Sequence, residues 1–230
     1  MDSDNRNAKI AGVSFIISYL GLILGGSVSV PILDGDYLAL AYPNAIQLGI
    51  GMLLESLNGI AVIGIAVMLY PILKRYNEGI ALAYLGFRGV EAFLSILGST
   101  KAIALVDLSY EYIQAGSPTD SYFETLGALV LADRHWHMEM LTLFFILGAF
   151  IFYFILYRTE ILPRYISVWG LLAIVLITVL NVILYLGFNL GLVLIVFALP
   201  IIANEIFLAL WLIIKGLNTS AMAADVSLEV

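Results

Sequence analysis

Residues 79–98 read Gly-Ile-Ala-Leu-Ala-Tyr-Leu-Gly-Phe-Arg-Gly-Val-Glu-Ala-Phe-Leu-Ser-Ile-Leu-Gly, an apolar run broken only by Arg88 and Glu91. About twenty helical residues rise roughly 30 Å, the thickness of a bilayer's hydrocarbon core. A cation and an anion three residues apart share one helix face. In hydrocarbon each costs several kcal/mol unless it is paired or turned into a protein interior. Other apolar helices must therefore close around this one.

The chain supplies them. Its 230 residues are 62% hydrophobic and 12% charged, with a mean hydropathy of +1.04, whereas soluble domains are about half apolar and a quarter charged. Apolar runs recur at 10–26, 47–73, 134–157, 166–188 and 192–214. They are too long and continuous for a transmembrane barrel. The expectation is an all-α polytopic integral membrane protein: six transmembrane helices in one domain, residues 1–217, and a tail over 218–230. The small residues at 25–29 also resemble a signal-peptide cleavage region, but five further spans follow and a signal anchor serves equally well. Leu228-Glu229-Val230 resembles the start of a vector-derived linker and is set aside.

Residues 30–44 read as a loop. The longest connection, 101–132, is acidic through Asp107, Glu111, Asp120 and Glu124. Within it, Ser117-Pro118-Thr119-Asp120 carries helix-start signals: an N-cap serine, a first-turn proline and a capping-box acid. Short amphipathic helices are expected in this outer loop, lying on the membrane surface. Arg6, Lys9, Lys74, Arg75, Arg158, Arg164 and Lys215 fall on one side of an alternating six-span topology, and Lys101 and Arg134 on the other. The excess of cations puts both termini in the cytoplasm of a multi-pass cell-membrane protein.

The polar residues inside the spans are Glu55 and Asn58 on the second, Arg88 and Glu91 on the third, Asn181 on the fifth, and Asn204 and Glu205 on the sixth. At about 1.5 Å per residue, Glu55, Glu91 and Asn181 reach a similar depth. The set reads as the lining of a polar cavity open to the non-cytoplasmic side. One cation, Arg88, faces three carboxylates, and burial disfavours an uncompensated carboxylate. Protonation, a metal, a cationic ligand or entering water would each restore the balance. The same residues equally suit a role in packing, as a buried pair and protonated acids that fix helix register. Pro200 frees the carbonyl of Val196 and bends the last span just before Glu205.

Residues 133–139, Asp-Arg-His-Trp-His-Met-Glu, hold both histidines of the chain. His135 and Glu139 share a face, and with Glu55 or Glu91 they would form a divalent-metal site. Asp133 and His137 share another face about 160–200° away, so one straight helix cannot aim both histidines at one ion. The competing reading is interfacial histidines beside a tryptophan anchor. The absence of cysteine excludes disulfides and thiolate chemistry. The net charge of −7 speaks against a nucleic-acid partner. No phosphate loop, dinucleotide fingerprint or nucleophile elbow is present, and no internal repeat supports an inverted-repeat transporter.

Three stretches carry a family resemblance: residues 68–75, Met-Leu-Tyr-Pro-Ile-Leu-Lys-Arg, leading into 81–91; residues 157–164, Tyr-Arg-Thr-Glu-Ile-Leu-Pro-Arg; and residues 204–216, Asn-Glu-Ile-Phe-Leu-Ala-Leu-Trp-Leu-Ile-Ile-Lys-Gly. Together they resemble the bacterial and archaeal membrane family catalogued as domain of unknown function 4386, from about Lys9 to Leu217. The resemblance implies a multi-span membrane protein and brings no established activity. Arg88, Glu91 and Glu205 sit in family-like stretches, whereas His135, His137 and Glu139 do not. Three readings stand at this point. One is a protein that binds or transports a small or lipid-like ligand through the polar cavity, with the lipid bilayer as its surroundings. Another is a non-catalytic structural or accessory membrane protein. The third is an intramembrane metal-dependent hydrolase.

Overall fold

The computed structural model describes residues 3–119, 122–188, 191 and 193–218. Among them lie seven helices and no strand: α1 (Ser3–Leu33), α2 (Tyr37–Leu40), α3 (Ala45–Leu73), α4 (Glu78–Gln114), α5 (Tyr122–Thr159), α6 (Arg164–Tyr185) and α7 (Val193–Ile214). All but α2 are long and apolar enough to cross a membrane, six in total. The expected spans are therefore present, and α7 stays helical through Pro200.

The outer connection differs from the expectation. Residues 101–114 do not form separate surface helices but continue α4, and 122–133 begin α5. No glycine or proline interrupts 101–114, so nothing in the chain stops the helix there. Gly116 stops it. With φ +82° it takes the left-handed position after the C-cap. Its N–H donates to the Ile113 carbonyl and the Ser117 N–H to the Tyr112 carbonyl, both at 3.0 Å. This is the Schellman pattern. Ser117, at φ +52°, closes one helix rather than capping the next. Asp120 and the linker-like 228–230 lie outside the described residues.

The chain forms two compact units. The first holds the described residues among 3–16, 61–91 and 142–218. Its core gathers Phe15, Leu69, Tyr84, Phe152, Tyr153 and Leu208, among others. Tyr84 stacks on Phe152 with ring centres 5.5 Å apart. Helix ends meet on one face of this unit. Arg75 binds Asp4 through two hydrogen bonds of 2.6 and 2.7 Å, the Leu217 N–H donates to Asn5 Oδ1, and the Asn218 N–H donates to the Ile161 carbonyl. The ends of α1, α3, α5, α6 and α7 that carry most of the cations thus lie side by side.

The second unit holds residues 17–60 and 92–141. Small residues let its helices approach closely, as at interfaces that lack a hydrophobic driving force. A Cβ on Gly25 would come 2.6 Å from the Glu55 side chain, and one on Gly59 2.8 Å from the Ala92 carbonyl. The extensions of α4 and α5 pack with α2 around Ile32, Leu48, Ala102 and Leu105. Ser109 fastens this cap by donating to the Leu38 carbonyl at 2.6 Å and accepting from the Tyr42 N–H at 2.9 Å.

Candidate functional site

The buried polar residues fall into two networks, one in each unit. In the second unit Arg134 of α5 is the organising cation. Its Nη2 donates to both oxygens of Glu55 at 2.8 Å, and its Nη1 donates to the Gly98 carbonyl of α4, also at 2.8 Å. One side chain thereby ties three helices. Asn58, one turn beyond Glu55, accepts from Ser18 of α1 and donates to Ser95 of α4 at 3.0 Å. Ser56 and Ser99 meet at 3.1 Å. Each group in this network has a partner of matching chemistry. Ser29 lies outside it: its hydroxyl is buried against Gly51 and makes no hydrogen bond among the described residues.

In the first unit the network centres on Arg88. The buried positions of α4, Ala81, Tyr84, Arg88 and Glu91, recur at three- and four-residue steps, which puts both charges on the helix's inward stripe. On α7, Ile201, Asn204, Glu205, Leu208 and Leu212 form the same kind of stripe. Arg88 Nη1 lies 2.9 Å from Glu91 Oε2, close enough for an ion pair but without the alignment of a hydrogen bond. The Arg88 stem packs on Gly148 of α5, where a Cβ would come 3.0 Å from its Cδ. Its guanidinium lies 5.6 Å from the centre of the Phe145 ring. Glu205 lies within electrostatic reach of Glu91, Tyr84 and Tyr153. Tyr153 fits against α6 only because residue 170 is glycine, where a Cβ would come 2.3 Å from its ring.

Beyond the Arg88–Glu91 pair, Tyr153 Oη, Ser167 Oγ and Asn204 Oδ1 of this unit are buried with no hydrogen-bond partner among the described residues. Asn204 uses only its other end, donating to the Ile166 carbonyl at 3.1 Å. Asn181 is buried on α6 in the same unit. Arg88, Glu91, Asn204 and Glu205 are each at most 5% exposed. The site is sealed in this conformation.

Of the three carboxylates set against Arg88 in the sequence, Glu55 has a second cation, Arg134, as its partner. Residue 134 reads as a span-end charge only if α5 is taken to begin there. Sequence reasoning also missed Tyr84, Tyr153 and Ser167; only Tyr84, one helical turn before Arg88, carried a signal in the sequence. His135 is exposed, with its ring 5.7 Å from that of Trp136. His137 Nδ1 lies 2.7 Å from the Asp133 carbonyl, and Asp133 pairs with Lys101 at 2.7 Å. Among the described residues no three His, Asp or Glu side chains gather as a metal-binding group. Glu55 and Glu91, the alternative carboxylates for such a site, pair with Arg134 and Arg88.

Over residues 10–216 the chain matches the family model described as Domain of unknown function (DUF4386). The chain belongs to the DUF4386 family. Both polar networks lie within the DUF4386 match, as do all six candidate spans in whole or in large part. No curated protein and no solved structure matches the chain.

Proposed function

We propose that this DUF4386 protein is a multi-pass protein of the cell membrane, with both termini in the cytoplasm, that binds a small polar or lipid-like ligand at Arg88, Glu91, Asn204 and Glu205. The carrying observation is the trio of buried, unbonded polar atoms on α5, α6 and α7: Tyr153 Oη, Ser167 Oγ and Asn204 Oδ1. Buried polar atoms are almost always hydrogen-bonded, and an orphan costs about 1–3 kcal/mol. A polar ligand supplies the missing bonds. The charges agree: two carboxylates, Glu91 and Glu205, face one guanidinium, so a proton or a cationic group on the ligand balances the site. Because every member is buried, entry requires a helix to move, as in proteins that alternate between closed and open states.

The network around Arg134 favours a second role for the other polar residues. There Glu55 and Asn58 are satisfied by protein groups, and their work is to hold α1, α3, α4 and α5 together. The two readings divide the polar residues between architecture and binding. Tyr153→Phe tests the binding half. If the hydroxyl bonds a ligand, the variant retains less co-purified small molecule in native mass spectrometry than the parent. If it bonds nothing, ligand content is unchanged and the protein gains about 1 kcal/mol of stability from losing a buried orphan.

A further inference from the structure

A second site lies at the cation-rich face of the first unit. The connection between α5 and α6 and the chain leaving α7 line a groove of about 420 Å3, with Arg164, Trp211 and Lys215 on its walls and Ile161 and Leu162 below. Fixed contacts build these walls. The Asn218 N–H donates to the Ile161 carbonyl at 2.9 Å. The Leu217 N–H donates to Asn5 Oδ1 at 3.1 Å. Gly216 turns the chain at φ +73°, so close to Asn5 that a Cβ would meet its Oδ1 at 2.2 Å. Glu160 opposite is held at φ +52° without being glycine, a conformation that costs energy and persists only where the surroundings impose it.

The charges on the groove are available. Lys215 is exposed, its Nζ lies 5.6 Å from the Trp211 ring centre, and it forms no ion pair among the described residues. Arg164 pairs with Glu160, but both are more than half exposed. Such a pair is worth little in water, so the guanidinium can exchange its partner at small cost. Pro163 and Arg164 at the start of α6 line the same groove, and Pro163 provides no side-chain cap for the helix. Around the groove the face carries Arg6, Lys9, Lys74, Arg75 and Arg158 against only Asp4, Glu78 and Glu160 among its described acids. Tyr157 and Tyr165 are exposed beside it, and Tyr, Trp, Lys and Arg together mark the headgroup level of a membrane.

We propose that this groove binds the phosphate group of an anionic phospholipid. Lys215 and Arg164 hold the phosphate, the start of α6 adds N–H donors, and Trp211 packs on the glycerol and upper acyl chain. The apolar floor and the position among interfacial aromatics favour a membrane-borne phosphate over a free one. The proposal is independent of what the Arg88 network binds.

The test uses the full chain in detergent, titrated with phosphatidylglycerol, phosphatidylcholine or inorganic phosphate and read by native mass spectrometry. The parent is expected to retain one phosphatidylglycerol in preference to phosphatidylcholine. Lys215→Ala and Arg164→Ala should each weaken that binding about fivefold, the effect of one cation near an anionic surface. Lys74→Ala, which removes an exposed cation of the same face outside the groove, should leave it unchanged. The proposal is overturned if inorganic phosphate displaces the lipid at equal concentration. It is equally overturned if the two lipids bind alike, or if Lys74→Ala costs as much as Lys215→Ala. Each variant changes an exposed side chain, so a folded sample is expected in every arm.

Discussion

At the scale of single residues the deciding contrast is between Arg134 and Arg88. Arg134 spends its donors on Glu55 and on the Gly98 carbonyl, so it closes three helices into one network. Arg134→Ala would leave the Glu55 carboxylate buried without a cation. Breaking one side of a buried pair costs about 3 kcal/mol or more, whereas replacing both partners by apolar groups of similar volume costs far less. Arg134→Ala should therefore lower the thermal unfolding midpoint strongly, and Glu55→Met combined with Arg134→Met should recover most of the loss. A double-mutant cycle measured by thermal unfolding in detergent checks this, and strictly additive effects would contradict it. Arg88 differs. Its ion pair with Glu91, three residues on, lies within one helix, so that pair by itself ties no helix to another. Its surroundings hold a second carboxylate, Glu205, and the unbonded hydroxyl of Tyr153.

At the scale of helices, glycine positions divide by what they face. A Cβ on Gly25 of α1 would meet the Glu55 side chain at 2.6 Å and its backbone nitrogen at 2.8 Å, while one on Gly26 would meet nothing within 4 Å. Gly25→Ala should destabilise by about 1–3 kcal/mol through overpacking. Gly26→Ala should be neutral or stabilising by up to about 1 kcal/mol, because alanine is the better helix former. Paired unfolding curves check the contrast, and equal effects would show that α1 does not pack on α3 in this way. The helices are also where the sequence was most and least legible. The apolar runs fixed six spans, because length and hydropathy are local properties that a bilayer reads directly. The ends of α4 and α5 were not legible in the same way. Lys101, Asp107 and Glu111 look like loop residues when polarity alone is counted, yet propensity carries the helix on until Gly116. Glu55 and Arg134 stand 79 residues apart, and nothing in a single sequence announces that such a pair will meet. Arg88 and Glu91 were legible because they are neighbours on one helix.

For the whole molecule, the proposed topology follows from the seven cations at one set of helix ends. The chain contains no cysteine, so single cysteines report on topology without background. Thr119→Cys, between α4 and α5, should react with a membrane-impermeant thiol reagent in intact cells. Arg158→Cys, at the end of α5, should react only after the membrane is opened, and the opposite pattern would invert the protein in the membrane. The larger claim is that the two polar networks do different work, the one around Arg134 holding the helices and the one around Arg88 holding a ligand. The most direct measurement is native mass spectrometry beside thermal unfolding on the detergent-purified full chain, never exposed to chelator, for Glu205→Gln and Glu55→Gln. The account predicts that Glu205→Gln loses a co-purified small molecule or lipid while its unfolding midpoint stays near that of the parent. Glu55→Gln should keep the ligand and lose several degrees. If the parent carries no ligand and both variants lose only stability, Arg88 and its acids are packing residues and the binding role is wrong.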